Sequence, residues 1–315
     1  MPIKPIILGG GITVAVAGIV CATTDNLWVL ISARFVQGLF IPALTTCLAA
    51  YLARALPPEN LSVVMGSYVS ATVVGGLGGR LLGGWIHPPL DWRYAFVSAS
   101  LLIMTATLMA IKLLPKDVSR QLTTHRHSSY LNLLRRWDLL RIYFLASGSF
   151  FIFSAIFNFL PFRLQSPPFG LSTVMVTLLY LVYVMGIFIG PVAGRLSHRF
   201  GSGRVLITGL GIFALSIAIT LMPTLIAIVV GLVGICAGFF TVHAAAVGLL
   251  NRRLHGGQGR ANALYVLCYY IGGWIGITLA GLAYEQNAWN GVVQLCMFML
   301  IPLFLVGMME RKLTD

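Results

Sequence analysis

"SYVSATVVGGLGGRLLGGW", residues 67–85, returns 197 positions later as "LYVLCYYIGGWIGITLAGL", residues 264–282. Seven pairs are identical: Tyr68/Tyr265, Val69/Val266, Gly75/Gly272, Gly76/Gly273, Gly79/Gly276, Leu82/Leu279 and Gly84/Gly281. A second echo, at an offset near 200, relates "KPIILGGGI" (4–12) to "RVLITGLGI" (204–212), each led by a basic residue. The chain therefore reads as two related halves, the weak internal symmetry of membrane bundles built by duplication. Small residues three and four apart let apolar helices approach closely, so Gly75, Gly79 and Gly83, with Gly272 and Gly276, are predicted packing positions. Gly76, Arg80 and Gly84 share the neighbouring helix face, and the counterpart of Arg80 is Ile277.

The composition fits that reading. Of 315 residues, 58% are hydrophobic and only 9% charged, too little polar surface for a soluble globule. A spanning helix needs roughly 20 apolar residues, and ten such segments are predicted: about 6–23, 27–53, 62–86, 92–114, 141–162, 171–196, 204–222, 224–250, 261–284 and 289–309. The basic, polar stretch 115–140 is a predicted cytoplasmic linker. It separates an N-terminal bundle of four helices (1–114) from a C-terminal bundle of six (141–315).

A net charge of +13 could suggest a nucleic-acid partner, but the charges sort by side of the membrane. With the N-terminus cytoplasmic, Lys4, Arg54, Lys112, Lys116, Arg120, Arg126, Arg135, Arg136, Arg141, Arg195, Arg199, Arg204, Arg252, Arg253, Arg260, Arg311 and Lys312 fall inside. Arg93 and Arg163, with Asp25, Asp91 and Glu285, fall outside. The excess of Lys and Arg on one side predicts a multi-pass protein of the cell's inner (plasma) membrane with both termini cytoplasmic. Cys21, Cys47, Cys236, Cys268 and Cys296 lie singly in or beside apolar helices, without the spacing of a disulfide or metal site. "GGGITVAVAG" lies in a membrane helix with no preceding strand, so it is no nucleotide loop. The expected cofactor and metal set is empty, and no catalytic constellation appears.

"GRLSHRFGSGRVLI", Gly194–Ile207, resembles the inter-helix signature of the major facilitator superfamily, G-x-L-a-D-r-x-G-r-k, with His198 in place of the acidic residue. "RFVQG" (34–38) resembles the family's fourth-helix motif R-x-x-q-G, and "DWRYAF" (91–96) its turn before helix six. "GGLGGRLLGG", "FNFLPFRL" (157–164) and "ALYVLCYYIGG" (263–273) are similar to the drug and sugar efflux branch. The usual antiporter pattern G-P-x-x-G-G is absent from helix five. A related pattern, "GIFIGPVAG" (186–194), places Gly190 and Pro191 in helix eight instead.

The resemblance implies an all-α, major-facilitator-like bundle of two pseudo-symmetric halves about a central cavity. It further implies a secondary transporter, working by alternating access and exporting a small drug- or sugar-like compound in exchange for protons. The family has twelve helices. Here the counterparts of 141–196 project before Met1, so helices 1 and 2 of the family are expected to be missing. Expected partners are the lipid bilayer, a small-molecule substrate and protons, for a monomer. A truncated non-transporting fragment, a partner subunit, and an uncoupled facilitator stay open as alternatives.

Ionisable groups inside lipid are costly and mark function by default. Arg34, about seven residues into its helix, and Arg80, about six from the end of its own, are predicted at one level in the outer third. Each is either a structural or snorkelling charge or a substrate and coupling residue. All eight acidic residues are expected in loops, linker or tail, so neither arginine has a predicted acidic partner. His243 is either a packing residue or the proton-exchanging group of the inner half. Asn158, Tyr183, Tyr269 and Tyr270 are candidates for a partly apolar substrate pocket. By resemblance, Gly194, Arg195, His198, Arg199, Gly201 and Arg204 form a gating loop; topology setting is the alternative for its arginines.

Overall fold

The computed structural model describes residues 3–55, 71, 74–87, 89–114, 129–254 and 257–314, and among these all regular structure is helical. The chain divides into two compact units, Met1–Thr123 and Thr124–Asp315. The first contains α1 (Ile3–Thr23), α2 (Leu27–Ala55), α3 (74–86) and α4 (Arg93–Leu113). The second contains α5 (Tyr130–Leu134), α6 (Trp137–Gln165), α7 (Thr173–Leu179), a 3-10 turn (Tyr180–Val184), α8 (Met185–Phe200), α9 (Ser202–Ile219), α10 (Leu225–Arg252) and α11 (Gln258–Thr314).

Among the described residues, eight helical stretches are long and apolar enough to cross a membrane. One of them, Gly259–Leu313, has 55 residues, enough for two crossings. It breaks where Asn287 (φ −146°, ψ 32°) and Ala288 (φ 44°, ψ −138°) leave helical geometry, which agrees with predicted segments 261–284 and 289–309. Most of predicted segment 62–86 before residue 74, and linker residues 115–128, lie outside the described residues. Helix α6 begins at Trp137 rather than 141, because Arg136, with extended backbone, ends the preceding turn.

In the first unit α1 packs on both α2 and α4. The approach is close enough that a Cβ at Gly11 would overlap Thr107, and one at Gly18 would overlap Ser100 Oγ. Gly11 and Gly18 of "GGGITVAVAG", with Gly10 against Leu44, thus serve helix contact. At the α4 entry, Asp91 accepts from the Arg93 backbone N–H at 2.9 Å, and the Arg93 guanidinium bonds Asp25 and stacks over Trp92. That backbone hydrogen bond holds the Asp91 carboxyl below its usual range.

The second unit is organised around α6, whose Leu139, Ile142, Leu145, Ile152, Ile156, Phe157 and Leu160 are fully buried. Its neighbour is α11, where Gly272 and Gly276 lie against the α6 backbone so tightly that a Cβ would overlap Ser147 O and Phe151 O. Ser154 Oγ donates to Gly273 O across the same seam at 3.1 Å. The α9–α10 pair also approaches backbone to backbone: a Cβ at Gly238 would lie 2.8 Å from Gly209 O. Trp289, just past the α11 break, donates Nε1–H to buried Thr220 Oγ1 at 3.2 Å, which ties the second arm of α11 to the end of α9.

Candidate functional site

The first unit carries a cavity of about 240 Å³ between α1, α2 and α4, lined by Val14, Arg34, Gln37, Phe96, Ser100 and neighbouring apolar residues. Helix α2 projects Arg34 and Gln37 from adjacent turns of one face, and Arg34 Nη1 donates to Gln37 Oε1 at 2.8 Å. Gln37, 8% exposed, in turn donates Nε2–H to Val14 O of α1 at 3.1 Å. The Arg34 guanidinium also sits 5.6 Å from the Phe96 ring centre, a contact of about 0.5–1 kcal/mol at an exposed site. No described acidic residue pairs with Arg34. The guanidinium is therefore fixed on one side and open on the other, as an anion-binding group must be. Gln37, a member of "RFVQG", is the residue that the sequence reading left out.

Arg80, exposed on α3, engages neighbours of its own and does not line that cavity. Around Gly75, Gly79 and Gly83 the predicted packing partner is not met: no described atom lies within 4 Å of a Cβ placed at any of them. The same holds for Gly190, whereas Gly272 and Gly276 are tightly covered. The glycines recur in both halves, but among the described residues only the second half supplies the helix that fits them.

The second unit brings His243, Tyr183, Tyr269 and Tyr270 into one aromatic array. Phe150 of α6 stacks on Tyr269 of α11 at 3.7 Å between ring centres, and Phe153 stacks on Phe239 of α10 at 4.1 Å. His243 lies one turn beyond Phe239, its ring 5.9 Å from Phe239 and 5.4 Å from Tyr269. His243 Nδ1 and Tyr265 OH are 3.0 Å apart. Tyr183 joins through Phe153 and Phe157 from the 3-10 turn, and Tyr270 meets Tyr269 edge-on. Asn158 stays apart: it is exposed, and its amide donates to Ser154 O of its own helix at 2.8 Å.

In the predicted gating loop, Gly201 (φ 84°) makes the turn between α8 and α9. Arg195, His198, Arg199 and Arg204 are exposed, and Arg199 lies over Phe200 at 5.1 Å. Gly194 has no described neighbour within 4 Å of its Cβ position. The irregular stretch of this helix is the 3-10 turn at Tyr180–Val184. Pro191 lies beyond it within α8.

One expectation is corrected outright. Glu310 is no tail residue: it is 0% exposed and sits between two guanidiniums. Arg141 Nε donates to its Oε1 at 2.6 Å, and Arg253 bonds both of its oxygens. Arg253 also donates to Asp138 O at 2.8 Å, and Arg136 donates to Asp138 Oδ2 at 2.7 Å and to Arg253 O at 3.2 Å. These bonds join the ends of α6, α10 and α11. A carboxylate can be buried here because two cations and several hydrogen bonds replace its water.

These are the features of a polytopic α-helical membrane protein that holds a largely apolar cavity with one guanidinium in one unit and an aromatic array in the other. The chain belongs to the Major Facilitator Superfamily, whose profile matches residues 2–190 and again 168–314. It is 28% identical over 322 residues to the MFS-type transporter YybF of Bacillus subtilis (strain 168), covering 98% of this chain and 78% of that one. It is likewise 28% identical over 311 residues to the inner membrane transport protein YnfM of Escherichia coli (strain K12), covering 96% and 74%. Its fold is similar to a crystal structure of a bacterial homolog to the human lysosomal transporter Spinster in an inward-facing, unoccupied conformation. The TM-score is 0.75 at 15% identity, over 100% of this chain and 85% of that one. The protein is a membrane transporter for small molecules and not an enzyme.

Proposed function

We propose that this transporter is a proton-coupled exporter of a small, partly aromatic organic compound, with both termini cytoplasmic. The reading is supported above all by the Arg34 cavity, where a positioned guanidinium opens onto apolar walls. Such a site holds an acidic group, either on a substrate or on a proton-carrying residue. The aromatic array, with Tyr270 exposed at its edge, is the part that would meet an apolar body. Its histidine supplies a ring nitrogen, held by Tyr265, that can take up or release a proton. When His243 is neutral, Tyr265 OH can donate to Nδ1; when the ring is protonated, Nδ1–H donates to the tyrosine oxygen instead. Protonation therefore reverses one hydrogen bond without moving a backbone. Export, rather than import, follows the likeness of "GGLGGRLLGG", "FNFLPFRL" and "ALYVLCYYIGG" to the drug and sugar efflux branch.

Proteoliposomes loaded with a pH-sensitive dye and challenged with a panel of aromatic drugs and sugars test the coupling. A transported compound is expected to drive counter-movement of protons, and flux indifferent to a pH gradient would make the protein a facilitator. His243→Gln is expected to abolish the proton signal while leaving exchange of labelled compound measurable. If the variant couples as before, His243 is a packing residue. Arg34→Gln removes a charged hydrogen-bond partner worth about 1.5–3 kcal/mol. Flux is expected to fall about tenfold or more, with the protein still folded by gel filtration.

A further inference from the structure

The short helix α5, which opens the second unit, has two unlike sides. It contacts both α6 and α11, and its Leu133 is 2% exposed. Tyr130, Leu131 and Leu134 fall within a stripe about 100° wide and stay exposed. Trp137, at the start of α6, continues this apolar edge; Leu131 and Trp137 are 66% and 64% exposed.

The edge adjoins the charged ends of the helices and not their apolar middles. Arg136, directly after the α5 cap, bonds Asp138 and the Arg253 carbonyl. Arg135, Arg136, Arg141, Arg253 and Arg260 here meet two carboxylates, and both are engaged: Asp138 by Arg136, Glu310 by Arg141 and Arg253. A positive excess is left on the α5 side. Arg135 is exposed and forms no ion pair among the described residues, and the Arg260 guanidinium lies 5.4 Å from the centre of the Tyr130 ring.

This combination selects its occupant. Leucines beside tyrosine and tryptophan suit the boundary between acyl chains and headgroups. Guanidiniums in excess at that boundary suit a phosphodiester of net negative charge. A zwitterionic headgroup fits less well, because it brings a cation of its own into a positive field. We infer that α5 and Trp137 form a binding site for an anionic phospholipid of the phosphatidylglycerol type. Arg135 and Arg260 hold its phosphate, and Leu131, Leu134 and Trp137 cover its glycerol and upper acyl chains. The site depends on membrane residence alone; substrate, transport direction and proton coupling do not enter its geometry.

The experiment places a photo-crosslinking phenylalanine analogue at Leu131 of the full chain, in vesicles of equal parts phosphatidylglycerol and phosphatidylcholine, and identifies the product by mass. Phosphatidylglycerol adducts are expected to exceed phosphatidylcholine adducts about tenfold, and the excess should shrink in concentrated salt, which screens the two cations. The double variant Arg135→Gln, Arg260→Gln is expected to bring the ratio near one with an unchanged gel-filtration profile. Arg135→Lys, Arg260→Lys should keep most of the excess, because the charge is retained. Equal adducts in the starting protein would overturn the inference in favour of an unselective lipid contact. Peptide adducts in place of lipid would overturn it in favour of a protein-docking face, and displacement of the lipid adduct by inorganic phosphate in favour of a small-anion site. An unchanged ratio in the glutamine variant would refute the assignment of the headgroup to Arg135 and Arg260.

Discussion

Glu310→Gln is expected to destabilise the second unit by about 3–5 kcal/mol, the cost of leaving buried charge without its partner. The substitution keeps the shape of the side chain and removes only the negative charge between Arg141 and Arg253. Both guanidiniums are then held close together in a dry setting, where like charges repel and water cannot replace the lost carboxylate. Thermal unfolding of the detergent-purified protein should show an early transition, and yield from the membrane should fall. Asp138→Asn is the internal control. Its partner Arg136 is exposed, and such surface pairs are worth about 0–1 kcal/mol. Although Asp138→Asn removes the same kind of ion pair, its melting curve should barely move. If both variants melt alike, burial of Glu310 does not carry the energy assigned to it.

Gly276→Leu is the second large effect. A side chain there has to displace the α6 backbone, for Cβ alone would overlap Phe151 O and lie 2.8 Å from Phe151 C and Cα. Overpacking a well-filled interior costs about 1–3 kcal/mol, sometimes more, and a backbone obstacle cannot rotate out of the way. The variant is expected to yield aggregated protein in gel filtration, with Gly276→Ala intermediate between it and the unsubstituted chain. Ser154→Ala, which deletes the hydroxyl across the same seam, should cost only the roughly 0.6 kcal/mol typical of interhelical hydrogen bonds in membranes. A folded, monodisperse Gly276→Leu protein would show that α6 and α11 can part without penalty.

Hydropathy and the internal repeat made the helices and their pairing into halves legible, because both are properties of position along the chain. The candidate site was legible in part. Arg34 stood out as a charge among apolar residues. The role of Gln37 required knowing that the Val14 carbonyl of α1 comes within 3.1 Å of it. Glu310 was hidden for a related reason: its neighbours in sequence, Arg311 and Lys312, make it look like a solvated end. The groups that bury it are 169 and 57 positions away. The 3-10 turn at Tyr180–Val184 contains neither glycine nor proline, so no local signal marks it. The two glycine stripes read alike in sequence, and only their surroundings differ among the described residues.

The break at Asn287–Ala288 has a consequence for the order in which the protein is made. A straight helix of the length of α11 would run about 85 Å, yet Arg253, just before it, touches Glu310 near its far end. The chain therefore doubles back at the break, and the ion pair fastens the open end of the resulting hairpin. Ribosomes add about 5–20 residues per second, so Arg141 leaves the synthesis site on the order of ten seconds before the acid that neutralises it. The second unit is held closed by its last-made partner. A pause in translation between Arg253 and Glu310 lengthens the interval in which two cations wait together at the membrane edge.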